Sequence, residues 1–149
     1  MLQIGYFSTA RGYQDAAVVH RILTASRRAN SLSFITGLLV VGGERYLQVI
    51  EGPDQAVETL YRKIEADDRH MAVASFCRRQ ISERSFRSWS MAFRRQTAVG
   101  EPNSFFDVVG GITRDVTDST LKGQINCFAQ VMMTSDIKQR SNDIARIQA

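Results

Sequence analysis

The chain has 149 residues, of which 44% are hydrophobic and 23% charged, the balance of one ordinary globular domain. These figures exclude a disordered tail, a collagen strand and a coiled-coil rod. Nineteen Lys and Arg against fifteen Asp and Glu give a net charge of +4, which fits an acidic partner without identifying one.

No apolar run approaches the length of a membrane span, and no basic segment followed by an apolar one opens the chain. Cys77 and Cys127 lie far apart, so neither a CxxC motif nor a disulfide framework is present. A reduced, cytoplasmic protein is expected.

Leu2, Ile4, Tyr6 and Ser8 alternate with Gln3, Gly5 and Phe7, the period-two pattern of a first strand. Arg11-Gly12 marks the loop after it. Val18, Ile22, Ala25 and Ala29, flanked by Val19 and Leu23, predict a helix from Gln14 to Asn30 with a wide apolar face. The run Ile35 to Val41 reads as a second strand, and Gly42-Gly43 as a tight turn. Arg45 to Glu51 returns, with Tyr46, Gln48 and Ile50 on one side and Leu47 and Val49 on the other.

Pro53 opens a second helix. Its buried stripe is Val57, Leu60, Tyr61 and Ile64, and it ends near Ala66. Val73 to Cys77 forms a fourth strand. Trp89, Met91 and Phe93, alternating with Ser90 and Ala92, form a fifth. The order β-α-β-β-α-β-β predicts an α+β, ferredoxin-like sheet with an extra strand and two helices on one face.

The chain changes character after Arg95, where Gly100, Pro102 and Gly110-Gly111 interrupt it. A helix is expected from about Val116 to Met133, with Leu121, Ile125, Phe128 and Met132 on one face. The polar stretch after it reads as a short helix or a fraying tail. Residues 1–95 are thus expected to form one domain, and residues 96–149 a helical appendage on the other face of the sheet.

Standard catalytic sets are missing. His20 and His70 are the only histidines, and neither lies in HExxH. There is no GxSxG, P-loop or GxGxxG. Asp67-Asp68 reads as a helix end. With no nucleophile beside a base, a hydrolase is a weak reading. Arg27-Arg28, Arg78-Arg79 and Arg94-Arg95 are basic pairs on different elements, without an RNP-like aromatic set. Nucleic acid is therefore not the expected partner.

Other polar residues sit oddly. Ile22, Ser26 and Asn30 are spaced four apart and share one helix stripe. Asn30 is either a helix C-cap or a ligand of something beside the helix. Gln48 stands in an apolar strand, and a buried glutamine needs partners for both its NH2 and its carbonyl. Tyr6 lies on the first strand and by default reads as a core aromatic. Lys63, Ile64, Arg69 and His70 gather at the end of the second helix. Trp89 and Met91 would by default be core residues. A cofactor between the two helices would draw on Tyr6, Asn30, Gln48, Trp89 and Met91 together.

The chain resembles the BLUF family of blue-light sensors that use flavin. The matching stretches are Tyr6-Phe7-Ser8, Ala29-Asn30, Ile35-Thr36-Gly37-Leu38-Leu39, Leu47-Gln48-Val49-Ile50-Glu51-Gly52-Pro53, Asp68-Arg69-His70, and Arg84 through Met91. They occur in the family's order and spacing. The C-terminal third matches loosely, as in short stand-alone members with two added helices. Phe34 replaces the glycine common before Ile-Thr-Gly, and Lys63 stands where members vary.

The resemblance implies a noncovalent FAD, with FMN or riboflavin as alternatives. It makes Tyr6 the photochemical electron donor and sets Gln48 between the Tyr6 hydroxyl and the flavin. Asn30 would bond the flavin's polar edge. Ser26, Lys63, Arg69 and His70 match positions at the flavin or its ribityl-phosphate arm, and Ile22 and Ile64 match positions packing on the ring. Trp89 and Met91 match positions that change with Gln48 in the light.

The resemblance also implies a photoreceptor without a catalytic output domain. It would signal through a separate partner protein and be a dimer or a larger homo-oligomer. The alternative is a flavin-dependent reductase or another small enzyme on the same fold.

Overall fold

The computed structural model describes residues 1–12, 16–87, 92–95 and 105–132. The elements are β1 (Leu2–Ala10), α1 (Ala16–Leu32), β2 (Thr36–Gly42), β3 (Arg45–Gly52), α2 (Asp54–Glu65), β4 (His70–Gln80), β5 (Ala92–Arg95) and α3 (Phe105–Ile112). A further helix, α4, covers residues 119–132. The chain divides into two compact units, Met1–Arg94 and Arg95–Ala149.

The five strands form one sheet in the order β4-β1-β3-β2-β5. β3 lies antiparallel between β1 and β2, and β4 lies antiparallel on the outer side of β1. This is the expected α+β, ferredoxin-like arrangement with an added strand.

Strand alternation decides what each face carries. Leu2, Ile4 and Tyr6 of β1 and Ile50 of β3 pack with Val19 and Leu23 of α1 and with Val57 and Tyr61 of α2. Both helices therefore cover one face. Burying each large apolar side chain there stabilises the fold by roughly 1.5–3 kcal/mol relative to exposing it. The Tyr6 and Tyr61 rings meet edge to face, with centroids 5.6 Å apart. Gln3 and Glu51, opposite each other in the β1–β3 register, point to the other face and are fully buried.

The end of α1 differs from expectation. The helix runs two residues past Asn30, so Asn30 is not its cap. The Ile35 N–H donates to the Asn30 carbonyl at 2.8 Å, and the Phe34 N–H to the Ser31 carbonyl at 3.2 Å. These two bonds define a Schellman ending with Phe34 in the left-handed position. Phe34 has φ 54°, a backbone conformation that glycine adopts without strain. Gly37 is a close-approach glycine: a Cβ on it would lie 2.0 Å from the Val49 carbonyl oxygen.

β4 is longer than its apolar core, Val73 to Cys77, suggested. It is held by backbone pairing with β1 over Leu2 to Ala10, with register shifts between Gly5 and Tyr6 and between Phe7 and Thr9. Pro53 sits at the N-cap of α2, one position before the helix proper. Of the expected fifth strand, Ala92–Arg95 is described, and Trp89 and Met91 lie outside the described residues.

In the second unit, Gly110 and Gly111 lie inside α3 and do not interrupt it. The next helix starts at residue 119, not at Val116. Asp118 fixes that start by accepting the Leu121 N–H at 2.7 Å, a helix-capping contact. Leu121, Ile125, Phe128 and Met132 are buried, as their spacing predicted. The Thr113 hydroxyl bonds Asn126 Oδ1 across the two helices at 3.2 Å.

Phe34 is 73% exposed, so replacing it removes little packing. Phe34→Gly should stabilise the protein by about 0.5–1 kcal/mol through relief of the left-handed strain. Denaturant unfolding reads this directly, and a neutral or destabilising result would show that the ring packs against something.

Candidate functional site

A cavity of about 390 Å³ opens between α1, α2 and the sheet, within the size range of small-molecule and cofactor sites. Its floor is Tyr6 of β1, Leu39 of β2, and Tyr46 and Gln48 of β3. These residues come together because Tyr6 pairs with Gln48, and Gln48 in turn with Leu39. Directly opposed residues of antiparallel strands share a face.

α1 supplies one wall. Ile22, Ser26 and Asn30 fall on the cavity side, with Ala25 and Ala29 between them. The two alanines keep the helix surface low there. α2 supplies the other wall through Leu60, Lys63 and Ile64. Its apolar stripe divides: Val57 and Tyr61 are buried in the core, while the half-buried Leu60 and Ile64 face the cavity. Asp67, Arg69 and His70 close the rim.

All nine residues singled out as cofactor-binding candidates therefore line one cavity: Tyr6, Ile22, Ser26, Asn30, Gln48, Lys63, Ile64, Arg69 and His70. Trp89 and Met91 lie outside the described residues. Tyr46 and Asp67 line the cavity without having been singled out. Tyr46 was findable, because it stands two residues before Gln48 and so shares its face. Asp67 was not, since a carboxylate after a helix reads as a solvated end.

Tyr6 and Gln48 form the centre of the site. The Tyr6 hydroxyl donates a hydrogen bond to Gln48 Oε1. Tyr6 is only 1% exposed. Burial, reinforced by the neighbouring Tyr61 and Asp67, pushes its phenol far above the ordinary tyrosine value. The phenol therefore keeps its proton and acts as the donor. With its oxygen on Tyr6, the Gln48 amide has a donor at its other end.

The rim is electrostatically organised. Arg69 Nε donates to Asp67 Oδ1 and Oδ2 at 2.9 and 3.0 Å, and the Arg69 N–H to Oδ1 at 3.0 Å. These bonds hold the Asp67 carboxyl down at about 2. Asp67 in turn raises Arg69. Lys63 adds a further positive charge.

The residues suit a flavin. Ile22 and Ile64 present apolar surface from opposite helices, as a flat aromatic ring system requires. Asn30, buried at 3% exposure, offers both an amide donor and an acceptor to a ring edge carrying both kinds of group. Lys63 and Arg69 at the rim suit a phosphate-bearing arm.

His70 Nδ1 lies 3.1 Å from Ser8 Oγ, and its ring packs on Tyr46 at 5.5 Å between centroids. Burial lowers its pKa below the usual 6.5, a pull that exceeds the opposing effect of Asp67. Folding thus favours the neutral ring. The stability this contributes is complete above pH 6.5 and is lost as pH falls through the depressed folded value. An NMR titration of the flavin-free protein should place the His70 midpoint below 6.5. A midpoint above it would mean that Asp67, not burial, governs the ring.

Comparison with known proteins agrees with the fold and the cavity. The family model described as "BLUF: Sensors of blue-light using FAD" matches residues 1–92. The blue light- and temperature-regulated antirepressor BluF of Escherichia coli (strain K12) is 32% identical over 65 residues. That match covers 44% of this chain and only 16% of the relative's length.

The dark-state structure of BlrB, a BLUF protein, is 36% identical with a TM-score of 0.61, over 64% of this chain and 72% of that one. The ground state of BlsA is 32% identical with a TM-score of 0.60, over 64% and 65%. Among the described residues, no helix is long and apolar enough to cross a membrane. A family match over more than half the chain, on this sheet and around this cavity, makes the protein a member of the BLUF family of blue-light sensors using FAD.

Proposed function

We propose that the cavity between α1 and α2 holds the flavin and that the Tyr6–Gln48 pair is its light-responsive contact. The observation that carries this reading is the Tyr6 hydroxyl bonded to Gln48 Oε1 on the cavity floor. Ile22 and Ile64 would pack on the ring. Asn30 and Ser26 would meet its polar edge, and Lys63, Arg69 and His70 the ribityl-phosphate arm.

When bound, the flavin supplies blue-light absorption and an excited state able to take an electron from a nearby phenol. Tyr6 is the phenol placed for that role. Its proton is held before excitation, because burial disfavours the phenolate. Losing an electron reverses that preference, since an oxidised phenol is a strong acid.

Gln48 is the adjacent group able to accept and return a proton, because one amide carries both an acceptor and a donor. Return of charge and proton leaves no net redox change. Rotation or tautomerisation of the Gln48 side chain then exchanges donor for acceptor at Tyr6. In a buried network such an exchange persists, because each partner must find a new match.

Residues 1–95 thus act as the sensor, and residues 96–149 as its C-terminal appendage. Trp89 and Met91 are assigned by family resemblance to carry the change onward. The output is a protein–protein event, with a separate signalling partner and a homo-oligomeric sensor. The antirepressor relative, named as regulated by blue light, supports such an output. Cys77 and Cys127 are not joined in a disulfide, which is in keeping with a reducing, cytoplasmic setting.

The purified protein should be yellow, shift its flavin absorption to the red under blue light and recover in the dark. Gln48→Leu and Tyr6→Phe should each keep the flavin and lose the shift. A colourless protein, or a shift that survives Gln48→Leu, would sink the proposal.

A further inference from the structure

The strand that carries Gln48 also carries a buried carboxylate facing the opposite way. Glu51 is 0% exposed, three residues along β3, and its side chain accepts four hydrogen bonds. Oε1 accepts from the Phe86 N–H at 2.7 Å and from the Thr36 hydroxyl at 3.2 Å. Oε2 accepts from Gln3 Nε2 at 2.9 Å and from the Ser85 N–H at 3.1 Å.

Two of these donors are consecutive backbone amides of the connection between β4 and β5. The same connection is fastened a second time. Arg84 donates to the Glu51 carbonyl at 3.1 Å, to the Thr36 hydroxyl at 2.8 Å and to the Phe34 carbonyl at 2.6 Å. Phe86 itself is buried.

Stability alone does not call for a carboxylate here. Burying one is costly unless its oxygens are well bonded, and a packed apolar residue commonly serves as well or better. What a carboxylate does that an apolar residue cannot is accept from two adjacent N–H groups of a connection that lies outside the strands. It ties the Ser85-Phe86 backbone to β3. In sequence, that backbone leads within three residues to Trp89 and within five to Met91.

We propose that Glu51 is a positioning residue for light signalling. It clamps the Ser85-Phe86 backbone to the strand that carries Gln48, and the clamp loosens when Gln48 rearranges. This rests on the flavin-switch reading above. The side chains of residues 48 and 51 lie on opposite faces of β3, so the change travels along the strand backbone. The clamp is a two-state element that light at Gln48 biases from a distance.

Hydrogen exchange of the flavin-loaded protein tests this, read at the Ser85 and Phe86 amides in darkness and under blue light, beside the absorption spectrum. In the unaltered protein both amides should exchange slowly in darkness and at least tenfold faster in light. Glu51→Gln replaces one acceptor oxygen with an NH2 that cannot accept from either amide. It should keep the red shift at full size, speed dark exchange at least tenfold at the amide that faces the new NH2, and lose the light–dark difference there.

A merely structural role would alter exchange equally in both conditions and leave the difference in place. That outcome, or amides in the unaltered protein that ignore light while the spectrum shifts, overturns the inference alone. Loss of the red shift in flavin-loaded Glu51→Gln would move the residue into the photochemistry and also overturn it. No red shift in the unaltered protein overturns both this inference and the function it rests on. Should Glu51→Gln fail to fold, Thr36→Val removes one of the four donors and is read the same way. It should give at least threefold faster exchange in darkness, and unchanged exchange counts against the clamp.

Discussion

The hydrogen bond from Tyr6 to Gln48 is the contact around which the first unit is arranged. It requires a buried phenol to meet a half-buried amide, and the sheet register provides that meeting. β1 and β3 pair antiparallel with Tyr6 directly opposite Gln48. A slip of one residue would send one side chain to the far face. The register is fixed on both faces of the sheet, because Ile4 opposite Ile50 belongs to the core while Gln3 opposite Glu51 belongs to the buried polar set. Apolar packing on one face and hydrogen bonding on the other thus resist the same slip.

Much of this was legible in the sequence, and the reason is periodicity. Alternation in Leu2 to Ser8 put Tyr6 on a first strand, and alternation in Arg45 to Glu51 put Gln48 on one face with Tyr46 and Ile50, while the meeting of Tyr6 with Gln48 was implied by the family resemblance and is given by the strand register. Spacing by four placed Ile22, Ser26 and Asn30 on one helix stripe. What periodicity could not do was choose between two chemically sensible roles for one residue. Asn30 suits a C-cap by type and position, and only the two further residues of α1 removed that option.

The other misses have similar causes. The length of β4 comes from backbone pairing with β1, to which side-chain pattern is blind. Gly110-Gly111 lowers helix propensity by about 1 kcal/mol per residue relative to alanine, yet α3 forms through them. The residue pattern suggested that Tyr6 and Gln48 are buried, but which one donates to the other follows from the geometry and from the burial of the phenol.

β3 also shows why one strand can serve two purposes without mixing them. Residue numbers of one parity face the cavity, where Tyr46 and Gln48 sit. Glu51 has the other parity and faces the clamp. Side chains of opposite parity cannot touch through the sheet, so chemistry at Gln48 does not disturb the carboxylate by contact. Only a displacement of the strand backbone is common to both. Such a displacement is resisted by pairing with β1 and β2 on either side, which favours two discrete arrangements over a graded one. The backbone joining Gln48 to Glu51 is therefore the part of the sheet whose stiffness most directly decides how much of a change at the amide reaches the opposite face.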